Sequence, residues 1–371
     1  MQKQHAKPVR AAGLRHRWYF YIGILFLLMA ILFSTFLAFL TIAEYRPQPV
    51  EPALSGGAGD NTLLNDNTLR ILTFNTGYAS LGRDASFLMD GGEGTGTANL
   101  QTVQANQAGI QEILREADAD IYMIQEIDRA SSRTDYENQL EIYGSVLPEH
   151  QWQYAPNFLC KFVPYPLQAP FGQMDSGVAT YSRFAVQQAQ RISLPNPFAW
   201  PIRTANLKRC MLATWIPLEN TDAQLVVINF HLEAYDDGAG KQAQTSQLLQ
   251  LMQQEYEKGN YVIAGGDFNQ IFPEVNTLVK PTSEWVPGDL EPLPVEMQDW
   301  RYVYDDSTPT CRLLNQSYAP EDPLTQYYVI DGFIVSPNLE VMQVKTLDEG
   351  FVFSDHNPVS MEVRFQDTLA A

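Results

Sequence analysis

Cysteine is scarce, with Cys160, Cys210 and Cys311 the three in 371 residues. Three are too few for a disulfide framework, although an oxidising exterior would allow one bridge. Neither a CxxC nor a Cys/His zinc spacing occurs, which argues against metal binding through thiolates. Positive charge is scarce as well: 24 Lys and Arg stand against 43 Asp and Glu. Five of those bases, Lys3, Lys7, Arg10, Arg15 and Arg17, fall in the first 43 residues beside no acid, which leaves residues 44–371 at about −24. So acidic a surface repels polyanions and attracts divalent cations, and no basic stripe of a general nucleic-acid binder is visible. A Walker loop GxxxxGKS/T is missing, and so is the GxSxG elbow of a serine hydrolase. No internal repeat is present.

Charge is also absent from Trp18 to Ala43, where Leu, Ile, Phe and Ala dominate. At about 1.5 Å per residue the run spans roughly 39 Å, beyond the roughly 30 Å of a bilayer core. Cations precede it and Glu44 follows, so positive-inside reasoning expects a short cytoplasmic tail (1–17), a transmembrane anchor (18–43) and the remainder outside the cytoplasm. A cleaved signal peptide is the alternative, but its apolar region would be shorter and Thr41-Ile42-Ala43 is a poor cleavage site. Residues 44–67, rich in Pro, Gly, Asn and Asp, read as a flexible tether. No second linker follows, so 68–371 is expected to be one domain. The 45% hydrophobic content can fill its core.

Within that domain strands alternate with helices. Leu69–Phe74, Ile121–Ile124, Leu225–Phe230, the run from Val262, Tyr327–Val335 and Val359–Phe365 are expected strands. Residues 99–117 carry a helical stripe at Val103, Ile110, Ile113, Leu114 and Ala117. Residues 241–257 read as a second helix, which Gly259 is placed to stop. Two irregular stretches, 79–98 with MDGGEGTGT and 271–326 with Trp285, Trp300, Tyr302 and Tyr304, are long enough to suggest a binding site, surface insertions being the alternative.

The expected strands end on a consistent set of residues: Asn75, Glu126, His231, Asp267 with Asn269, Asp331, and Asp355 with His356. Each alone has an ordinary reading as a turn or a solvated strand end. Together they offer Asn, Asp, Glu and His and never Lys or Arg. Open sheets present functional groups at one end of their strands, and carboxylates gathered there repel unless a cation sits among them. A hard, oxygen-preferring ion such as magnesium suits that mixture, with manganese as a substitute.

LTFNT (Leu72–Thr76), IQEID (Ile124–Asp128), NFHLEA (Asn229–Ala234), GGDFN (Gly265–Asn269), IDGFIVS (Ile330–Ser336) and SDHNPV (Ser354–Val359) occur in the order of the endonuclease/exonuclease/phosphatase superfamily. The chain resembles those magnesium-dependent phosphoesterases over residues 69–365. It is also similar to uncharacterised bacterial members with an MDGG stretch. The resemblance implies an α/β fold, a four-layer α/β/β/α sandwich of the deoxyribonuclease-I type. It implies metal binding by Glu126, with Asn75 beside it and Asp355 at the metal's edge. By the same resemblance Asp267 and Asn269 position the attacking water and the phosphoryl oxygens. Asp331 orients His356, and His231 donates to a phosphate oxygen or assists the leaving group. Whether His356 or Asp267 takes the water's proton stays open. In VIAGGDFNQ the two glycines are expected to let the backbone approach the substrate phosphate, and alternation turns Phe268 away from its two polar neighbours. A calcineurin-type site is not supported, because GGD runs into Phe268-Asn269 rather than a GNHE-like segment.

The resemblance leaves the substrate undetermined: a lipid headgroup, a nucleotide or a nucleic acid. The adjacent cations Lys208 and Arg209 could meet a phosphate or form a solvated strand end. Aromatics in Asn157–Pro166 could stack on a base, dip into a bilayer, or pack the core. Besides an anchored phosphoesterase, an extracellular nuclease, a catalytically weak binding module and a membrane sensor remain as readings, and no protein partner is expected.

Overall fold

The computed structural model describes residues 12–64, 66, 68–236, 238–275, 286–323 and 325–366; the tail through residue 11 and Trp285 lie outside them. The chain divides into two compact units, Met1–Glu44 and Tyr45–Ala371. Among its described residues the first holds one helix, α1 (Ala12–Ile42), within which Trp18–Ile42 is long and apolar enough to cross a membrane, with mean hydropathy 2.6.

In the second unit the elements run β1 (Val50–Pro52), β2 (Leu54–Gly57), β3 (Thr68–Asn75), α2 (Leu100–Ala117), β4 (Ile121–Asp128), α3 (Gln139–Gly144), β5 (Gln151–Val163), β6 (Gly172–Ser182) and β7 (Gln188–Ser193). They continue with β8 (Cys210–Pro217), β9 (Gln224–His231), α4 (Ala239–Glu257), β10 (Tyr261–Asp267), β11 (Gln270–Ile271), β12 (Gly288–Asp289), β13 (Arg301–Val303), β14 (Cys311–Arg312), β15 (Tyr327–Tyr328), β16 (Asp331–Val335), β17 (Leu339–Thr346) and β18 (Val359–Phe365). Two seven-stranded sheets form, ordered β1-β7-β8-β9-β10-β16-β13 and β17-β18-β3-β4-β6-β5-β2. Each has one central parallel pair, β9/β10 and β3/β4, bridged by a helical crossover.

Side-chain alternation explains the layers. In β3, Leu69 and Ile71 join Val227 and Ile263 of the other sheet in the central core. Leu72 and Phe74 point the opposite way and pack under α2 and α3 with Ile110, Leu114 and Tyr143. On the far side Leu248 and Met252 of α4 cover Val226, Ile228 and Val262. Burying one such aliphatic side chain contributes about 1.5–3 kcal/mol. The order of layers is α/β/β/α, as expected. Asn99 caps α2 by accepting from the Thr102 amide at 3.0 Å, and Gly259 leaves α4 with φ 89°.

Two expectations need correction. Part of the stretch read as a flexible tether is ordered sheet: β1 pairs with β7, and β2 pairs with β5. Its Pro and Gly content suits short edge strands, whose unpaired side needs no donors. Tyr327–Val335 is not one strand either. It breaks at Val329-Ile330, where Thr310 Oγ1 accepts from the amides of Ile330 (3.0 Å) and Asp331 (3.1 Å), so β15 and β16 belong to different sheets. The three cysteines are buried free thiols without a bridge.

Candidate active site

The parity that builds the core also builds the site. Residues 69, 71, 73 and 75 of β3 face the opposite sheet, as do 225, 227, 229 and 231 of β9, and 263, 265 and 267 of β10. Apolar side chains fill the middle of that interlayer. At one end the same positions turn polar: Gln125 Nε2 donates to Asn229 Oδ1 (2.8 Å) across the sheets, and beyond them lie Asn75, His231, Asp267 and Asp331.

Glu126 breaks the rule. Its parity would aim it at the helices, but the β4/β6 register slips between Ile124 and Ile127. Glu126 itself adopts φ 54°, a left-handed backbone costing of order 1–2 kcal/mol for a residue with a Cβ. The bulge re-aims its carboxylate. Oε1 comes within 3.7 Å of His231 Nδ1, while Oε2 is buried without a hydrogen-bond partner. Burial first, then the charge of Asp355, pushes its pKa up to about 8.

Asn75 Nδ2 donates to Asp267 Oδ2 at 3.0 Å and lies 3.3 Å from His356 Nε2. Asp267 Oδ1 accepts the Asn269 amide (2.8 Å), and Oδ2 is 3.4 Å from His231 Nε2. His356 Nδ1 is 2.8 Å from Asp331 Oδ2, a contact that holds the ring and leaves Nε2 facing Asp267 (3.8 Å) and Asp355 (4.0 Å). Ser354 Oγ donates to the Asn75 carbonyl (2.8 Å) and accepts the His356 amide (3.2 Å), tying two motifs 279 residues apart. Burial raises the pKa of Asp331 to about 6 and moves those of Asp267 and Asp355 upward. For His356 burial opposes charge, but Asp331 and its acidic neighbours outweigh it and lift its pKa well above the usual range. His231 goes the other way, pushed down by burial and then by the charges of Arg209 and His356.

The structure therefore brings Asn75, Glu126, His231, Asp267, Asp331, Asp355 and His356 to one end of the interlayer. Asn269 (φ 50°) sits at its edge, its side-chain Nδ2 donating to the Leu232 carbonyl at 2.9 Å. Lys208 and Arg209 do not form a cationic pair facing solvent. The Lys208 ammonium donates to the Arg203 carbonyl. Arg209 is buried, donating to the His231 carbonyl (3.1 Å) and Glu233 Oε2 (3.3 Å). The glycines of VIAGGDFNQ serve packing rather than an approach to phosphate. A Cβ on Gly265 would lie 2.5 Å from the Phe333 ring, and one on Gly266 (φ 149°) 2.0 Å from the Phe230 carbonyl oxygen.

Sequence reading missed several neighbours. Arg133 grips Asp128 through two bonds of 2.8 and 2.9 Å and lies over the Tyr78 ring, 3.1 Å from its centroid. Asp90, from the MDGG stretch, accepts from Tyr235 Oη at 2.9 Å, and burial raises its pKa to about 6. The two irregular stretches meet here: Arg312 donates to the Gly82 carbonyl (2.7 Å) and the Phe87 amide to the Leu314 carbonyl (2.7 Å). The MDGG stretch was the one available signal for Asp90, and nothing local marks the others.

A metal fits this donor set. Asp267, Asp331 and His356 hold ligand atoms within 4.8 Å of one another, as do Cys311, Asp355 and His356, all buried. Neither group includes Glu126, the expected principal ligand, but Glu126 supplies the unpartnered oxygen. Four carboxylates with raised pKa values, three buried and Glu126 nearly so, need positive charge, and hard oxygen donors suit magnesium.

Residues 96–356 match the profile described as Endonuclease/Exonuclease/phosphatase family, a span that begins after Asn75 and contains the other site residues. No curated protein matches. Among solved structures, an endonuclease/exonuclease/phosphatase from Beutenbergia cavernae is similar at 17% identity and TM-score 0.55, over 82% of this chain and 73% of that one. ANGEL2, a 2′,3′-cyclic phosphatase crystallised with adenosine-2′,3′-vanadate, is similar at 13% identity and TM-score 0.53, covering 85% and 99%. A family protein from Leptotrichia buccalis follows at 15% identity and TM-score 0.52, covering 80% and 100%. At such identities the likeness establishes the fold, a deoxyribonuclease-I-like sandwich.

Proposed function

The chain belongs to the endonuclease/exonuclease/phosphatase family, and on that premise we propose that it is a membrane-anchored, extracytoplasmic phosphoesterase that uses magnesium to drive the attack of water on a phosphodiester or phosphomonoester. The observation that carries this reading is Glu126: a strained, nearly buried carboxylate, one oxygen unpartnered, amid three other carboxylates. A position so costly in the bare protein is understandable if a cation neutralises it.

Glu126, Asp355 and the Asn75 amide oxygen would hold the ion. Bound there, it would offset the carboxylates' charge and polarise a phosphoryl oxygen. Asp331 fixes the His356 ring through Nδ1; in the bare protein the surrounding acids hold that ring protonated. With those acids offset by a bound cation, Nε2 is free to take the proton of the attacking water. Asp267, 3.8 Å from that nitrogen, is the alternative acceptor. Water adds to phosphorus, one ester P–O bond breaks, and the leaving oxygen takes a proton from solvent water while the proton held on the base returns to solvent. His231, kept neutral beside Asp267 and Glu126, offers a hydrogen-bond donor to a phosphoryl oxygen. Asn75 and Asn269 orient the oxygens around it.

Trp18–Ile42 supports the anchor by its length and apolarity, and the five cations before it support a cytoplasmic N-terminus. The test is turnover of an aryl phosphodiester by the detergent-solubilised full chain with magnesium. No magnesium-dependent turnover across a panel of DNA, RNA, cyclic dinucleotides and phospholipids would overturn the reading. Protease digestion of intact cells tests the orientation.

A further inference from the structure

The site lies at one end of both sheets, and strand registers identify the loops that share that end. β4 delivers Glu126 near its carboxyl terminus, where Asp128 pairs with Ser176, four residues inside β6. β5 and β6 pair from there outward to Val163 and Gly172, so the 164–171 tip projects beyond the site. In the other sheet β9 ends at His231, Phe230 pairs with Met211, and Cys210 pairs with Ser193. The 194–209 loop therefore projects from the same end. The two loops are packed together, with Phe171, Ala205 and Leu207 closing over Phe158, Cys160 and Met174. Arg191, itself buried, ties β5 to the second loop by donating to the Pro156 carbonyl (2.8 Å) and the Lys208 carbonyl (2.7 Å). Phe171 also stands 6.4 Å from Phe87 of the loop that carries Asp90.

What these loops expose is unusual. Tyr165 is 46% exposed, Leu167 82%, Trp200 52% and Ile202 64%. Scattered apolar side chains on a surface need no explanation, but four on two adjoining tips do. Charge follows the same boundary. Residues 156–174 and 194–209 contain no Asp or Glu, although the chain holds 43 of them, and they carry Lys161, Arg203, Lys208 and Arg209. Lys161 and Arg203 are exposed beside the tips. Over the rest of the domain acids prevail.

We propose that this rim docks on an anionic phospholipid surface, Tyr165 and Trp200 at the headgroup level, Leu167 and Ile202 below it, and Lys161 and Arg203 on the lipid phosphates. Tyrosine and tryptophan favour that interface, and a cationic border adds electrostatic attraction. A single-stranded nucleic acid would use the aromatics and cations but gain little from projecting Leu and Ile side chains. Docked in this way, the mouth opens onto headgroups, so the substrate class is a phosphoester carried in that layer. The substrate half of this inference rests on the phosphoesterase reading, whereas the docking half does not.

The test uses the full chain in nanodiscs of phosphatidylcholine and phosphatidylglycerol containing lipids brominated high in the acyl chain. Trp200 contributes a bromine-quenched component of the emission, and that component is lost both in Trp200→Phe and in the double variant Leu167→Asp/Ile202→Asp. Equal quenching in wild type and Trp200→Phe overturns the docking. So does quenching of Trp200 by a single-stranded oligonucleotide in its place. For the substrate, the double variant keeps its turnover of a soluble aryl phosphodiester and loses turnover of disc phospholipid. Equal phospholipid turnover, or none by the wild type, overturns the substrate class. Absence of any magnesium-dependent turnover by the wild type, of the aryl diester, the phospholipid or the nucleic acids and cyclic dinucleotides, instead overturns the phosphoesterase reading and leaves the quenching result standing.

Discussion

Replacing Glu126 with Gln is expected to make the metal-free protein more stable and, at the same stroke, useless with metal. The carboxylate's pKa moves from an ordinary 4.5 to about 8 in the folded chain. Between those values the folded state holds more protons than the unfolded one, so stability falls as pH rises through that window. At pH 7 the ionisation penalty is roughly 3 kcal/mol, from about 1.4 kcal/mol per pKa unit. The side chain keeps 13% of its surface exposed, which puts the figure at its upper bound. Gln is neutral at every pH and removes the penalty. For a chain of this size that corresponds to a rise in melting temperature on the order of 5 °C at pH 7. The assay is scanning calorimetry of the solubilised chain in EDTA at pH 5 and pH 7, repeated with magnesium. At pH 5 the gap closes to just under about 1 kcal/mol, because the carboxyl is protonated in the folded state and about a quarter protonated in the unfolded one. With magnesium the wild type gains binding free energy that the variant lacks, and the gap narrows or reverses. A variant that melts below wild type in EDTA at pH 7, or a gap that does not depend on pH, refutes the argument.

Other expectations follow from the same geometry. His356→Ala lowers turnover of an aryl phosphodiester by about a hundred- to ten-thousand-fold, the usual scale of a positioned proton-transfer group. Asp331→Asn, which keeps the shape but loses the charge holding Nδ1, lowers it by about ten- to a hundred-fold, read from the same kinetics. EDTA abolishes activity and magnesium restores it, whereas chemical reduction has no effect on activity because the three cysteines are free thiols. Gly266→Ala costs at least about 1–3 kcal/mol in denaturant unfolding, since its Cβ would meet the Phe230 carbonyl oxygen at a φ of 149°.

Much of the architecture was legible because it repeats along the chain. The apolar runs of β3, β9 and β10 and the alternation of β18 announced strands, and the 3.6 period announced α2. Continuing the same parity past the last apolar residue turns Asn75, His231 and Asp267 toward the opposite sheet. Where local rules broke, reading by period failed. The edge strands β1 and β2 looked like a tether because short strands at a border need neither a hydrophobic face nor a full ladder of donors. The break between β15 and β16 is imposed by Thr310, a residue seventeen positions before β15 begins, whose hydroxyl takes two amides that a continuous strand would have used elsewhere.

The sequence by itself determined which groups arrive at the strand ends, because alternation and burial are properties of each strand. It also determined that they would be acids, amides and histidines in need of a cation. Only the tertiary structure decided how they are used. It turned Glu126 inward through a bulge, joined His356 to Asp331, and sent Arg209 into the interior to hold the His231 backbone. It assigned Gly265 and Gly266 to packing against Phe333 and Phe230. It also put the acid-free tips at 164–171 and 194–209 side by side at the mouth. The physical reason is common to all of these. Each depends on which strands become neighbours, and that choice is made by the shared burial of two sheets, which no single segment encodes.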